Sequence, residues 1–150
     1  MKGQLSTELL IIVALVLLIF IPLLVLVYFK ANEANQQIAS YQAELAVSRV
    51  SSLANSVGSL GTNTSVVTDI YVPPNTVSLK TSGAGSGGEI DLTIATAGGN
   101  TEIVDVIRYP LSGTQPHVLA DATTSGGWMK IKITSVYVEN QAQIQIEKIE

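Results

Sequence analysis

Leu9-Leu10-Ile11-Ile12-Val13-Ala14-Leu15-Val16-Leu17-Leu18-Ile19-Phe20-Ile21-Pro22-Leu23-Leu24-Val25-Leu26-Val27-Tyr28-Phe29 contains no charged side chain and is almost wholly aliphatic. A run of about 20 apolar residues is long enough to cross a bilayer as a helix. From Lys30 onward the chain is polar with short apolar runs. Its composition therefore divides into one anchor and one modest polar domain within 150 residues.

The residues before the run are Met1-Lys2-Gly3-Gln4-Leu5-Ser6-Thr7-Glu8. A secretory signal peptide has a shorter apolar core, about 7–15 residues, followed by a small-x-small cleavage site. Here the run is longer, and Tyr28-Phe29-Lys30-Ala31-Asn32-Glu33 is a poor site. A plain membrane anchor accounts for the hydrophobicity but not for Glu8. A carboxylate at the rim of a membrane helix costs free energy, on the order of a few kcal/mol at mid-bilayer and less near an interface. Cutting between Gly3 and Gln4 would create an α-amine four residues before Glu8. In a bundle of such helices, that amine and a neighbour's carboxylate would attract in low dielectric. Such a pair specifies register more than stability.

Lys2-Gly3 followed by Gln4-x-Ser6-x-Glu8 resembles the archaeal class III signal peptide of type IV pilin-like proteins. The resemblance covers roughly the first 30 residues and implies processing by a prepilin peptidase after Gly3. Gln4 becomes the mature terminus, the apolar stretch stays on the protein, and Glu8 sets subunit register. The family often has Leu four residues after the Glu, where this chain has Ile12. Archaellins are related in export and assembly but usually lack the Gln-x-Ser-x-Glu pattern. The resemblance implies a single-pass membrane protein before assembly and an extracellular surface filament afterwards. It also implies as partners further copies of the chain, the peptidase, membrane lipid before assembly, and a pilus assembly ATPase with its membrane platform. Lys2 and Lys30 flank the run almost symmetrically, so the positive-inside rule is weak here. The short N-terminal flank and long polar remainder favour N-in, C-out.

Pro22 interrupts the run and predicts a kink that neighbouring helices can offset. After Lys30, Ile38, Tyr41, Leu45, Val50, Leu53 and Val57 recur mostly at three- and four-residue spacing, opposite Gln37, Ser40, Gln42, Glu44, Ser48 and Arg49. This predicts an amphipathic helix with one apolar stripe, stopping at Gly58. A helix from about Ser6 to Val57 would be roughly 75–80 Å long at 1.5 Å per residue, matching the stick of a pilin.

Beyond Gly58 the texture shifts to Thr, Ser, Val, Ile and Gly. Strands are expected at Ser65–Val72, Thr76–Thr81, Glu89–Thr96, Glu102–Tyr109, Trp128–Val138 and Ala142–Ile149, separated by Pro73-Pro74-Asn75, residues 82–88 and Gly98-Gly99-Asn100. Met129, Ile131 and Ile133 alternate with Lys130, Lys132 and Thr134, and Ala142, Ile144 and Ile146 with Gln141, Gln143 and Gln145. A phase slip before Val136 predicts a bulge near Ser135, and Glu139-Asn140 closes a terminal hairpin. The fold class is α+β: a long N-terminal hydrophobic α-helix, then a small antiparallel β-sheet or sandwich resting partly on the helix. The expected organisation is a leader at 1–3, a long helix at 4–58 with its membrane or filament-core half at about 9–29, and an extracellular β-rich domain at 59–150.

Eight basic residues are scattered against twelve acidic ones, so nucleic-acid binding has no electrostatic footprint. The chain has no cysteine, which excludes disulfides and thiolate chemistry. The Gly-rich stretch at 83–88 lacks the Lys-Ser/Thr ending of a phosphate loop and precedes a strand. His117, the single histidine, lies four residues before Asp121 without a nucleophile-elbow pattern. Glu89 and Asp91 share a strand face and read as solvated rather than metal-binding. No catalytic, cofactor or metal site is expected, and the chain does not read as an enzyme. Asn63-Thr64-Ser65 is an N-glycosylation acceptor pattern. The expected function is a structural subunit of an archaeal type IV pilus-like filament used for adhesion. The alternative is a single-pass anchored extracellular binding module that does not polymerise.

Overall fold

The computed structural model describes residues 2–83, 86–123, 126–138 and 140–149, and among these the side chains from residue 7 onward. Ala84 and Gly85 of the Gly-rich loop, and Glu139 of the terminal turn, lie outside the described residues. The chain is α+β, with helix α1 (Lys2–Leu60) followed by β1 (Ser65–Val72), β2 (Thr76–Ser82), β3 (Gly88–Thr96), β4 (Gly99–Ile107), β5 (His117–Asp121), β6 (Gly127–Val138) and β7 (Gln141–Ile149). It divides into two compact units, Met1–Gln37 and Ile38–Glu150. The first is the N-terminal part of α1, which passes through Pro22 without ending.

In the second unit, β1-β6-β7 form a three-stranded sheet and β4-β3-β2-β5 a four-stranded one. All strand pairs are antiparallel. Alternation determines which side chains are buried. Ile70 and Val72, Met129, Ile131 and Ile133, and Ile144 and Ile146 face the core from the first sheet. Leu79, Ile90, Leu92, Ile94, Ile107 and Leu119 do so from the second. The helix adds Ala43, Ala46, Val47, Val50, Ala54 and Val57 to the same cluster.

The helix stripe differs from the sequence expectation. Val50 and Val57 are buried and Leu53 partly so, but Ile38, Tyr41 and Leu45 are exposed. At 3.6 residues per turn, Ala39, Ala43, Ala46, Val47, Val50, Ala54 and Val57 share one face. Ile38, Tyr41 and Leu45 lie on nearly the opposite face. Small residues on the inner face let α1 approach the sheets closely, and the larger ones point outward. Polar contacts pin this arrangement. Arg49 donates to Thr68 Oγ1 on β1 at 2.9 Å, and Ser51 donates to the Asp105 carboxylate on β4. Asn55 Oδ1 accepts from Arg108 N at 2.8 Å, while Asn55 Nδ2 donates to Val106 O at 3.4 Å. The Asn55 amide thus pairs like a short strand with the β4 edge. On β7, Ser112 N donates to Ile144 O and Ile144 N to Pro110 O, both at 2.8 Å. Both contacts blunt an otherwise open sheet edge.

Three further expectations are corrected. Gly58 does not stop the helix, which runs to Leu60. Gly61, at φ +94°, supplies the left-handed residue after it. Gly58 is instead a packing position, because a Cβ there would meet the ring of Tyr109. Nor is there a bulge at Ser135, since β6 pairs with β7 without a shift from Lys130 to Val138. Ser135 continues the inward face of β6 and is fully buried. Strand β5 was not among the expected strands. Its exposure runs in pairs rather than alternating, because its pairing with β2 shifts register between Leu79 and Lys80. The other strands fall within a few residues of expectation, β1 with the same bounds. Pro73-Pro74-Asn75 joins strands of different sheets, whereas Ala97-Gly98 closes the β3–β4 hairpin at Thr96↔Gly99.

Two stability effects are expected. Ser135 Oγ has no hydrogen-bond partner among the described residues. Ser135→Ala should remove an unpaired buried hydroxyl and stabilise by about 1 kcal/mol, read as a Tm higher by several degrees. Gly58→Ala should lower Tm, despite the roughly 1 kcal/mol helix-propensity gain of Ala over Gly, because overpacking typically costs about 1–3 kcal/mol. Combined with Tyr109→Ala, Gly58→Ala should lose that penalty in a double-mutant cycle.

Candidate assembly surface

Helix α1 is the one described helix long and apolar enough to cross a membrane. The large aliphatic and aromatic side chains from Leu9 to Phe29 are each between 47% and 72% exposed in the isolated chain. The C-terminal rim of this segment is marked by an exposed Lys30–Glu33 pair at 2.7 Å. Each group favours the charged form of the other, holding the Lys30 pKa up and the Glu33 pKa down. Such exposed i,i+3 pairs contribute little to stability.

Glu8 sits at the other rim, exposed and helical. The helix begins at Lys2 and has no acidic residue in its first turn. A carboxylate interacts with the helix dipole mainly within that turn, so Glu8 is neither a cap nor a dipole partner. Among the described residues it forms no ion pair. The rest of the motif, Lys2, Gly3, Gln4 and Ser6, has helical backbone, but its side chains lie outside the described residues.

Asn63 is exposed in the turn between α1 and β1, at φ +66°. Its backbone N–H donates to Ser135 O at 2.8 Å, which anchors the turn to β6. The geometry leaves the Asn63-Thr64-Ser65 pattern at the surface.

His117 and Asp121 both lie on β5. Four residues along a strand span about 13 Å, too far for a hydrogen bond between them. Asp121 Oδ1 accepts instead from the N–H and Oγ1 of Thr123, at 3.0 and 2.6 Å. His117 opens onto a cavity of about 260 Å³ beside Thr114, Gln145 and Glu147. Among the described residues, no three His, Asp or Glu side chains converge on a cation position. Glu89 accepts from Ser82 Oγ at 2.9 Å, and Asp91 lies 3.5 Å from Lys80 Nζ.

The feature missed in the sequence is the outward crest of α1 in the second unit: Ile38, Tyr41 and Leu45. The nearby Trp128 is also exposed, with its ring 5.6 Å from that of Tyr71 in an edge-on arrangement. The signal for the crest was present in the small residues Ala39, Ala43, Ala46 and Ala54, which mark the opposite face as the packed one. The chain matches no family model, no curated protein and no solved structure.

Asp91 gives a pH test of the second unit. It is buried on β3, and desolvation raises its pKa above 3.8, an effect that Lys80 only partly offsets. The folded state therefore holds this proton more tightly than the unfolded state. The resulting stabilisation is full below 3.8 and is lost as pH rises through the raised folded value. Asp91→Asn should have a higher Tm than the parent at neutral pH, with the difference shrinking as pH falls toward 3.8 in thermal melts.

Proposed function

We propose that this chain is a structural subunit of an archaeal type IV pilus-like surface filament. It is made as a precursor and cleaved after Gly3 by a prepilin peptidase. Until assembly, Leu9–Phe29 is held in lipid. Assembly transfers the segment into a bundle of identical helices, and the unit beginning at Ile38 is carried outside the cell. The observation that carries this reading is the exposed apolar helix with Glu8 at its rim, a carboxylate that forms no ion pair among the described residues. Each fully buried large aliphatic side chain contributes about 1.5–3 kcal/mol relative to exposure in water. A segment of this length therefore requires lipid or protein around it at all times. Lipid alone accounts for the apolar run, as in an anchored binding module, but leaves Glu8 without a partner. A neighbour's α-amine at Gln4 supplies one.

Glu8→Ala is expected to leave the membrane-inserted subunit at parental levels and to reduce surface filaments at least tenfold, measured by shearing and electron microscopy. Normal filament yield would remove Glu8 from register. Glu8→Asp, which retains the charge, should recover part of the yield. Gly3→Trp should block processing, leaving a precursor heavier by the leader in mass spectrometry.

A further inference from the structure

We propose that the cavity between the β5 and β7 edges binds one neutral sugar ring through its hydroxyl groups. The inference concerns the second unit alone and does not rest on the filament reading. β7 is an outer strand of the three-stranded sheet, and β5 an outer strand of the four-stranded one. The 108–116 connection leads into β5 and is tied on two sides. Toward β7, Ser112 N donates to Ile144 O and Ile144 N to Pro110 O. Toward β2, Gln115 Oε1 accepts from Thr81 Oγ1, while Gln115 Nε2 donates back to Ser112 O, both at 3.4 Å. Beside this pinned loop lies the cavity of about 260 Å³, lined by Ser112, Thr114, His117, Gln145, Ile146 and Glu147.

The walls mix donors with acceptors. Backbone directions repeat at every second residue of an antiparallel strand. Ile146 N–H and C=O therefore point the same way as those of Ile144, away from β6. Gly113, at φ +94°, turns the loop aside, and no loop backbone group bonds to Ile146. That rung of β7 is left open toward the cavity. Gln145 Nε2 donates to Glu147 Oε1 at 2.7 Å. This bond orients both side chains and leaves Gln145 Oε1 and Glu147 Oε2 as acceptors. The Thr114 hydroxyl and the His117 ring add groups that both donate and accept.

This chemistry selects the ligand class. A metal cation is poorly held, because no three His, Asp or Glu side chains converge on it among the described residues. An anion would meet the Glu147 carboxylate, and no Lys or Arg lines the cavity among the described residues. An apolar ligand would face hydroxyl, imidazole, amide and carboxylate groups. Ring hydroxyls, which donate and accept at once, match such walls. The volume lies below the range of about 300–1,000 Å³ for drug-sized ligands, so it suits a single ring.

The single histidine gives a direct reading on the full-length chain in detergent micelles, because its ring C–H signals in NMR report on the cavity wall alone. Glucose, galactose and mannose are titrated, each as the free sugar and as its methyl α-glycoside. At least one should shift the His117 signals saturably, with half-saturation in the millimolar range. A methyl glycoside that binds identifies the end of a glycan chain as the source, and binding of the free sugar alone identifies a soluble monosaccharide. Gln145→Ala should raise the half-saturation concentration about tenfold at unchanged Tm. Glu147→Gln, which keeps an acceptor, should raise it less than about threefold. Val104→Ser, on β4 at the opposite edge of the four-stranded sheet from β5, should leave it unchanged. The inference is overturned if no sugar gives a saturable shift, or if Gln145→Ala binds like the parent. It is equally overturned if glycerol or N-acetylglycine N-methylamide saturates the same shift as the best sugar, which would make the open rung a general polar contact.

Discussion

A long apolar helical segment whose large side chains stand exposed is the constraint on which the structure turns. Burying such a surface against water-free neighbours is the largest favourable term open to this molecule. The large side chains of Leu9–Phe29 stand exposed, and on the proposed reading their environment is first lipid and then other copies. On the same proposed reading, Glu8 would give that contact a preferred register, because an unpaired carboxylate in low dielectric is costly and a paired one is specific.

The same helix meets a second demand beyond Gln37. There it must pack on two sheets, and it does so with Ala, Val and Gly on one face. Small side chains bring the backbone near the sheets. This proximity lets short polar side chains reach them: Ser51 to Asp105, and Asn55 to the open edge of β4. The larger residues are displaced to the outside by this choice. Ile38, Tyr41 and Leu45 are thus available for contacts that the isolated chain does not make.

Much of this was legible in the residues. The long apolar helix followed by antiparallel strands is written in two periodicities, 3.6 and 2. Strong alternation in Met129–Ile133 and Ala142–Ile146 placed β6 and β7 correctly. The misreadings have physical origins. Counting only large apolar side chains put Ile38, Tyr41 and Leu45 on the packed face, although alanines can define a core face when two elements approach closely. Val136 after Ser135 looked like a phase slip because a buried serine was read as exposed; the hydroxyl points inward on an unbroken ladder. β5 lacks alternation because its partner shifts register beneath it. Glu8 was identifiable as a candidate only because it stands beside the apolar run. The structure places it exposed beyond the first helical turn, without an ion pair among the described residues.

The most direct measurement is electron microscopy of material sheared from the cell surface, with intact-mass analysis of the subunit it contains. The account predicts fibres built from this chain, with each subunit beginning at Gln4. A subunit that retains Met1-Lys2-Gly3 and is recovered only as dispersed single molecules in the membrane fraction would contradict it.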